Sequence, residues 1–146
     1  MPYPAKIQET LDMVELMPDR VDRILALISL SKNFKQVSDE TASRPYPESH
    51  RIPGCESEVF AWVTTVSGLL RVDFAIENQQ GVSAMALAVL LKEGLDGELP
   101  KVAESLDEEL VLRFFGRELS MGKSLGLTNM VRSVRAQAKA IAASNS

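Results

Sequence analysis

Residues 59–77 read VFAWVTTVSGLLRVDFAIE, and the fold class follows from them. Val59 to Val66 is rich in β-branched and aromatic residues. Ser67-Gly68 is a two-residue hairpin turn signal. After it, Leu70, Val72, Phe74 and Ile76 alternate with Arg71, Asp73, Ala75 and Glu77. A period of two predicts one packed face and one wet face. Ile52 is placed to add a short third strand. The flanks of this hairpin are helical. Upstream, Ile7, Leu11 and Val14 stand at helical spacing over residues 5–16. Past Pro18-Asp19, the residues Val21, Ile24, Leu25 and Ile28 line one face of a second helix, with Asp22 and Arg23 outside. Residues 32–50 are polar, hold Pro45 and Pro47, and read as a long irregular connection of a kind that often carries function.

Downstream, residues 82–92 (VSAMALAVLLK) are apolar nearly all round, which predicts the most buried helix, with Gly94 ending it. Pro100 opens a short helical piece. Residues 107–115 (DEELVLRFF) form another, with acids at its start and Gly116 at its close. In the last helix Leu127, Met130, Val131, Val134, Ala138 and Ile141 make an apolar stripe, with Ser124 as N-cap and Arg132, Arg135 and Lys139 on another face. Helices, a strand meander and more helices predict an α+β fold: a small antiparallel three-stranded sheet packed against helices, as one domain over residues 1–146.

The 146 residues are 45% hydrophobic and 25% charged, the profile of a soluble globular chain with a real core. A single cysteine excludes an internal disulfide, and with a single histidine it excludes a structural zinc site of about four N or S ligands. No apolar run reaches the ~20 residues of a membrane span. Met1-Pro2-Tyr3-Pro4 is not followed by a signal-type apolar core. The expected location is cytoplasmic, or an organellar stroma for the mature form of an imported protein. The net charge of −4 argues against nonspecific nucleic-acid binding. Charge is uneven, however. Residues 92–118 carry eight acids against four bases, whereas residues 119–146 carry Lys123, Arg132, Arg135 and Lys139 and no acid. That basic end is a candidate contact for an acidic partner.

Little in the chain suits metal or phosphate chemistry. His50 has no second histidine or cysteine near it except Cys55, and no carboxylate constellation stands out. Gly122-Lys123-Ser124 has the form of a phosphate-loop tail, but that loop requires glycine at 117, where Arg117 stands. What remains is Arg51-Ile52-Pro53-Gly54-Cys55-Glu56-Ser57-Glu58-Val59. Pro53 has φ fixed and Gly54 can take positive φ, so together they put Cys55 on a turn feeding a strand. A lone cysteine is ordinarily a small core hydrophobe. A turn with polar neighbours is a poor place for one.

The stretch IPGCESEV at 52–59 resembles the SufE family, whose pattern is V/I-x-G-C-x-S-x-V. Lys123-Ser124-Leu125-Gly126-Leu127-Thr128-Asn129-Met130-Val131, followed by Arg132 and Arg135, resembles that family's closing R-x-x-G-L-x-x-M segment. The resemblance runs along nearly the whole chain. It implies a fold like that of SufE and the NifU-like scaffolds, and a sulfur carrier rather than an enzyme. Cys55 would accept a persulfide from a SufS-like, pyridoxal-phosphate-dependent cysteine desulfurase, stimulate it, and deliver the sulfur to an iron–sulfur scaffold complex. The chain itself would need no cofactor. Pro53 and Gly54 would be the loop pivot, and the cysteine loop would tuck against a hollow for which Phe60, Trp62 and Phe74 are candidate lining residues, plain core being the commoner role for each of them singly. Arg51, Lys123, Arg132, Arg135 and Lys139 would form the partner surface. Glu56 and Glu58 stand where the family commonly has glutamine, Phe60 where it often has tryptophan, and Lys123 where it has arginine. The added acids are expected to raise the Cys55 thiol pKa, and lysine lacks the fork of arginine. Two other readings fit the residues: a thiol-based redox protein, and a noncatalytic adaptor with an inert cysteine.

Overall fold

The structure, a computed structural model, describes residues 2–77, 81–116 and 121–144; Arg117 and the side chains of residues 121–123 lie outside it. Among the described residues, five α-helices and one hairpin follow in order: α1 (Ala5–Glu15), α2 (Arg20–Ser31), β1 (Glu58–Val66), β2 (Leu69–Glu77), α3 (Val82–Leu95), α4 (Glu109–Phe115) and α5 (Met121–Ser144). Short 3₁₀ turns occupy Glu48–His50 and Pro100–Ser105. The fold class is α+β as expected, but the sheet has two strands rather than three. The segment before the cysteine contributes only a single bridge, Arg51 to Phe60, with Ile52 N donating to Val59 O at 2.8 Å. The reason is local: the Pro53-Gly54 turn follows at once, and proline has no N–H to extend a ladder.

The hairpin is antiparallel, with Val66 opposite Leu69 and Glu58 opposite Glu77. Ser67 (φ 55°) and Gly68 (φ 82°) both take positive φ, as a tight turn matched to strand twist requires. Its inner face carries Val59, Ala61, Val63, Val72, Phe74 and Ile76 into the main core, against α1, α3 and α5. Its other face is not wet. Phe60, Trp62 and Ala75 are buried there under Val37 and Tyr46 of the long connection. Tyr46 packs on Phe60 (5.2 Å) and Trp62 (5.5 Å), and His50 stacks on Trp62 at 5.3 Å. The connection over residues 32–50 is thus a lid on a second small core, which an alternating pattern cannot reveal.

Both strand edges are closed without a third strand. On β2, Val72 N donates to Asp96 Oδ1 (2.8 Å), Ile76 N to Gln36 Oε1 (3.0 Å), and Val37 N to Phe74 O (2.8 Å). Lys92 Nζ donates to Val72 O (2.7 Å) and pairs with Asp73 and Asp96, which explains how Asp73 tolerates burial. On β1, Gln137 of α5 bonds both ways, accepting from Val63 N and donating to Ala61 O. Edges left bare would template association.

Three helix expectations change. Val21, Ile24 and Leu25 of α2 face solvent, whereas Arg23 turns inward to donate to Arg113 O. α5 begins at Met121, so Ser124 lies inside its first turns and is not the N-cap. Gly94 does not end α3, which runs to Leu95. It sits inside because α1 crosses there: a Cβ on Gly94 would meet Ile7 Cγ1 at 2.2 Å. Ile7 is fully buried, so the space cannot be recovered by a side-chain swing. Gly94→Ala is expected to destabilise the chain by about 1–3 kcal/mol through overpacking, well above its helix-propensity gain. Urea denaturation measures this, and an unchanged midpoint would contradict it.

Candidate functional site

Gly54 takes φ +81°, a conformation that L side chains rarely adopt. That turn brings Cys55 against α5. The approach is close because position 126 has no side chain: a Cβ there would lie 2.7 Å from Gly54 O, 2.8 Å from Cys55 Cα and 3.0 Å from Sγ. Asn129, one turn further on, donates from Nδ2 to Pro53 O at 2.9 Å. Leu125 lies over Gly54, close enough that a Cβ on Gly54 would meet its Cγ at 3.1 Å, yet it is 54% exposed. Leu125, Gly126 and Asn129 of a single helix therefore hold the cysteine turn.

Cys55 is half-buried, and its thiol donates to Gly126 O at 3.5 Å. Burial pushes the thiol pKa up to about 11. The cause differs from the sequence expectation: desolvation raises it, not the neighbouring Glu56 and Glu58. At pH 7 such a thiol is ionised to only about one part in 10⁴. Beside it opens a cavity of about 500 Å³, lined by Gly54, Cys55, Ser57, Val82, Ala84 and Leu127 among others. Phe60, Trp62 and Phe74 do not line it; the first two belong to the outer core and Phe74 to the inner one. The expected hollow exists but is built from small residues at the start of α3 and from α5. Val82 to Ala84 carry no motif that marks them in sequence; only the tertiary packing brings them to the cysteine.

The predicted basic residues separate into groups. Arg51 is turned away from the thiol. It pairs with Glu48 (2.8 Å) and Glu58 (3.4 Å) and lies over the Phe60 ring, and those carboxylates hold its guanidinium protonated. Arg132 is exposed but forms an ion pair with Glu108. Arg135 and Lys139 are exposed on α5 and form no ion pair among the described residues. The stripe starts three residues after Asn129, so α5 carries both it and the cysteine contact. The Lys123 side chain lies outside the described residues. Among those residues no group of three or more His, Cys, Asp or Glu side chains could hold a metal ion, and no helix is long and apolar enough to cross a membrane.

No curated protein gives a significant match to the chain. Among solved structures, the solution structure of a hypothetical protein from Thermus thermophilus superposes with a TM-score of 0.74 at 20% identity, covering 97% of this chain and 99% of that one. At that identity the likeness shows the fold. The family model described as SufE, Fe-S metabolism associated domain, matches residues 8–138, a span that includes α2 to α4 and the whole Cys55–Gly126 contact. The chain belongs to the SufE family, and with it to iron–sulfur metabolism.

Proposed function

We propose that this chain is a sulfur carrier whose Cys55 takes up a persulfide sulfur from a cysteine desulfurase and passes it to an iron–sulfur assembly scaffold. The observation that carries the reading is the single cysteine of the chain, set on a positive-φ glycine turn beside a cavity of about 500 Å³. In the transfer, the Cys55 thiolate attacks the terminal sulfur of the donor's persulfide. The Sγ–S bond forms, the donor's S–S bond breaks, and the donor cysteine leaves as a thiolate that takes up a proton. No net oxidation occurs and no external reductant is consumed. The pyridoxal phosphate that frees the sulfur belongs to the desulfurase.

A thiol with pKa about 11 is a poor nucleophile at neutral pH, and that is useful in a carrier at rest. Docking supplies the change. Lifting the turn off Gly126 restores solvent to Sγ and returns the pKa toward its ordinary 9.0, which raises the thiolate fraction about 100-fold. Pro53 and Gly54 are the pivot, and exposed Leu125 is a contact through which a partner can draw the turn outward. Cytoplasm or an organellar stroma, where thiols stay reduced, suits this chemistry.

Incubation with a desulfurase and free cysteine, followed by intact-protein mass spectrometry, is expected to add ~32 Da to the wild-type chain and nothing to Cys55→Ser, whose fold is retained. A redox role would instead give sulfenic acid with peroxide, and an inert cysteine would give neither product. Desulfurase stimulation undiminished by Cys55→Ser would overturn the relay. Reversing Arg135 and Lys139 to Glu is expected to weaken desulfurase binding several-fold at low salt and much less at high salt. Titration calorimetry at two ionic strengths reads this; equal dissociation constants would remove the stripe from the partner surface.

A further inference from the structure

Asn129 stands inside α5, where asparagine is a poor choice on propensity alone. Its amide competes for backbone groups, and alanine or leucine would support the helix better. The amide is not turned on its own helix. Nδ2 donates to Pro53 O at 2.9 Å, 76 residues back in the chain. About two turns further along α5, Gln137 also reaches across to another segment's backbone. Gln137 grips β1 at two points, accepting from Val63 N and donating to Ala61 O. Asn129 grips the cysteine turn through Pro53 O alone.

A single exchanged hydrogen bond is easily opened. Pro53 and Gly54 are exposed and Asn129 is only half-buried, so water can satisfy both partners once they separate. The other polar tie is weaker, because Sγ stands 3.5 Å from Gly126 O and a thiol is a poor donor. Asn129 also lies against the next residue of the turn: a Cβ on Gly54 would meet its Nδ2 at 3.3 Å. Asn129 therefore touches both residues that form the pivot ahead of Cys55.

We propose that Asn129 is a positioning residue for Cys55, and that its bond to Pro53 O sets how often the turn leaves α5 and presents the thiol. With the bond made, Sγ stays against Gly126. With it broken, Sγ meets solvent and reacts. The inference deepens the sulfur-carrier reading and rests on it for its consequence. A persulfide held on Cys55 is kept from stray small thiols for as long as Asn129 holds the turn.

Iodoacetamide alkylation of the full chain reads the presented fraction. Asn129→Leu keeps most of the bulk and removes the donor, and Asn129→Ala removes both. Each is expected to raise the rate at pH 7 about fivefold, the factor that one net hydrogen bond supplies. The pH midpoint should fall by about 0.7 in each, with the plateau at high pH unchanged. Both replacements favour helix, so circular dichroism should match the wild type. Chains loaded with sulfur by a desulfurase should lose the added ~32 Da to dithiothreitol about fivefold faster in both variants. Alkylation that is unchanged or slower in both would overturn the proposal, whether or not the wild type takes up sulfur. Acceleration in Asn129→Ala alone would assign the hold to bulk and overturn the hydrogen bond. A rate as fast as that of the urea-unfolded chain would make Asn129 a support of the whole fold, which also overturns it. Faster alkylation with unchanged sulfur loss would overturn its part in retention. A wild type that takes up no sulfur would sink the carrier reading and leave the role of Asn129 to be decided by alkylation alone.

Discussion

The contact between the Cys55 turn and Gly126 organises this molecule's chemistry. Backbone meets backbone there: Gly54 O and Cys55 Cα occupy the space that any side chain at position 126 would need. Two glycines make it possible for opposite reasons. Gly54 supplies a conformation other residues resist, and Gly126 supplies room. The result is a thiol that is near the surface and donates to a carbonyl, yet is desolvated, which favours its neutral form.

α5 couples this contact to the rest of the fold. Its apolar stripe, Leu127, Met130, Val131, Val134 and Ala138, is buried in the main core. Gln137 on the same helix closes the β1 edge at Ala61 and Val63. Asn129 and Gly126 hold the turn that leads into that same strand. One rigid helix therefore fixes the strand, while the turn before the strand is held by the Asn129 hydrogen bond, the weak thiol contact and close packing. The strand is tied by its ladder and the turn is not.

Much of this was legible in the sequence, and the failures have physical causes. The hairpin, its Ser67-Gly68 turn, the α5 stripe and the place of Cys55 on a Pro53-Gly54 turn follow from local chemistry and short-range periodicity. The two-residue period of β2 also predicts a wet outer face, which the connection over residues 32–50 covers with Val37 and Tyr46. That covering is tertiary and has no periodic signature. Helical spacing marks Val21, Ile24 and Leu25 as one face but cannot say whether anything packs on it. Gly94 has the sequence position of a helix stop, and only the crossing of Ile7 shows that it serves packing. At the site, the motif locates Cys55 but not the source of its pKa: adjacent acids are visible in sequence, whereas desolvation by α5 is not.

The most direct test of the closed, protonated thiol is the pH dependence of Cys55 alkylation by iodoacetamide, in the wild type and in Gly126→Ala. The wild-type rate should rise with a midpoint near 11. Gly126→Ala, which forces the turn away, should move the midpoint down toward 9.0 and speed the reaction at neutral pH. A wild-type midpoint already near 9.0, or one that Gly126→Ala leaves in place, would contradict the account.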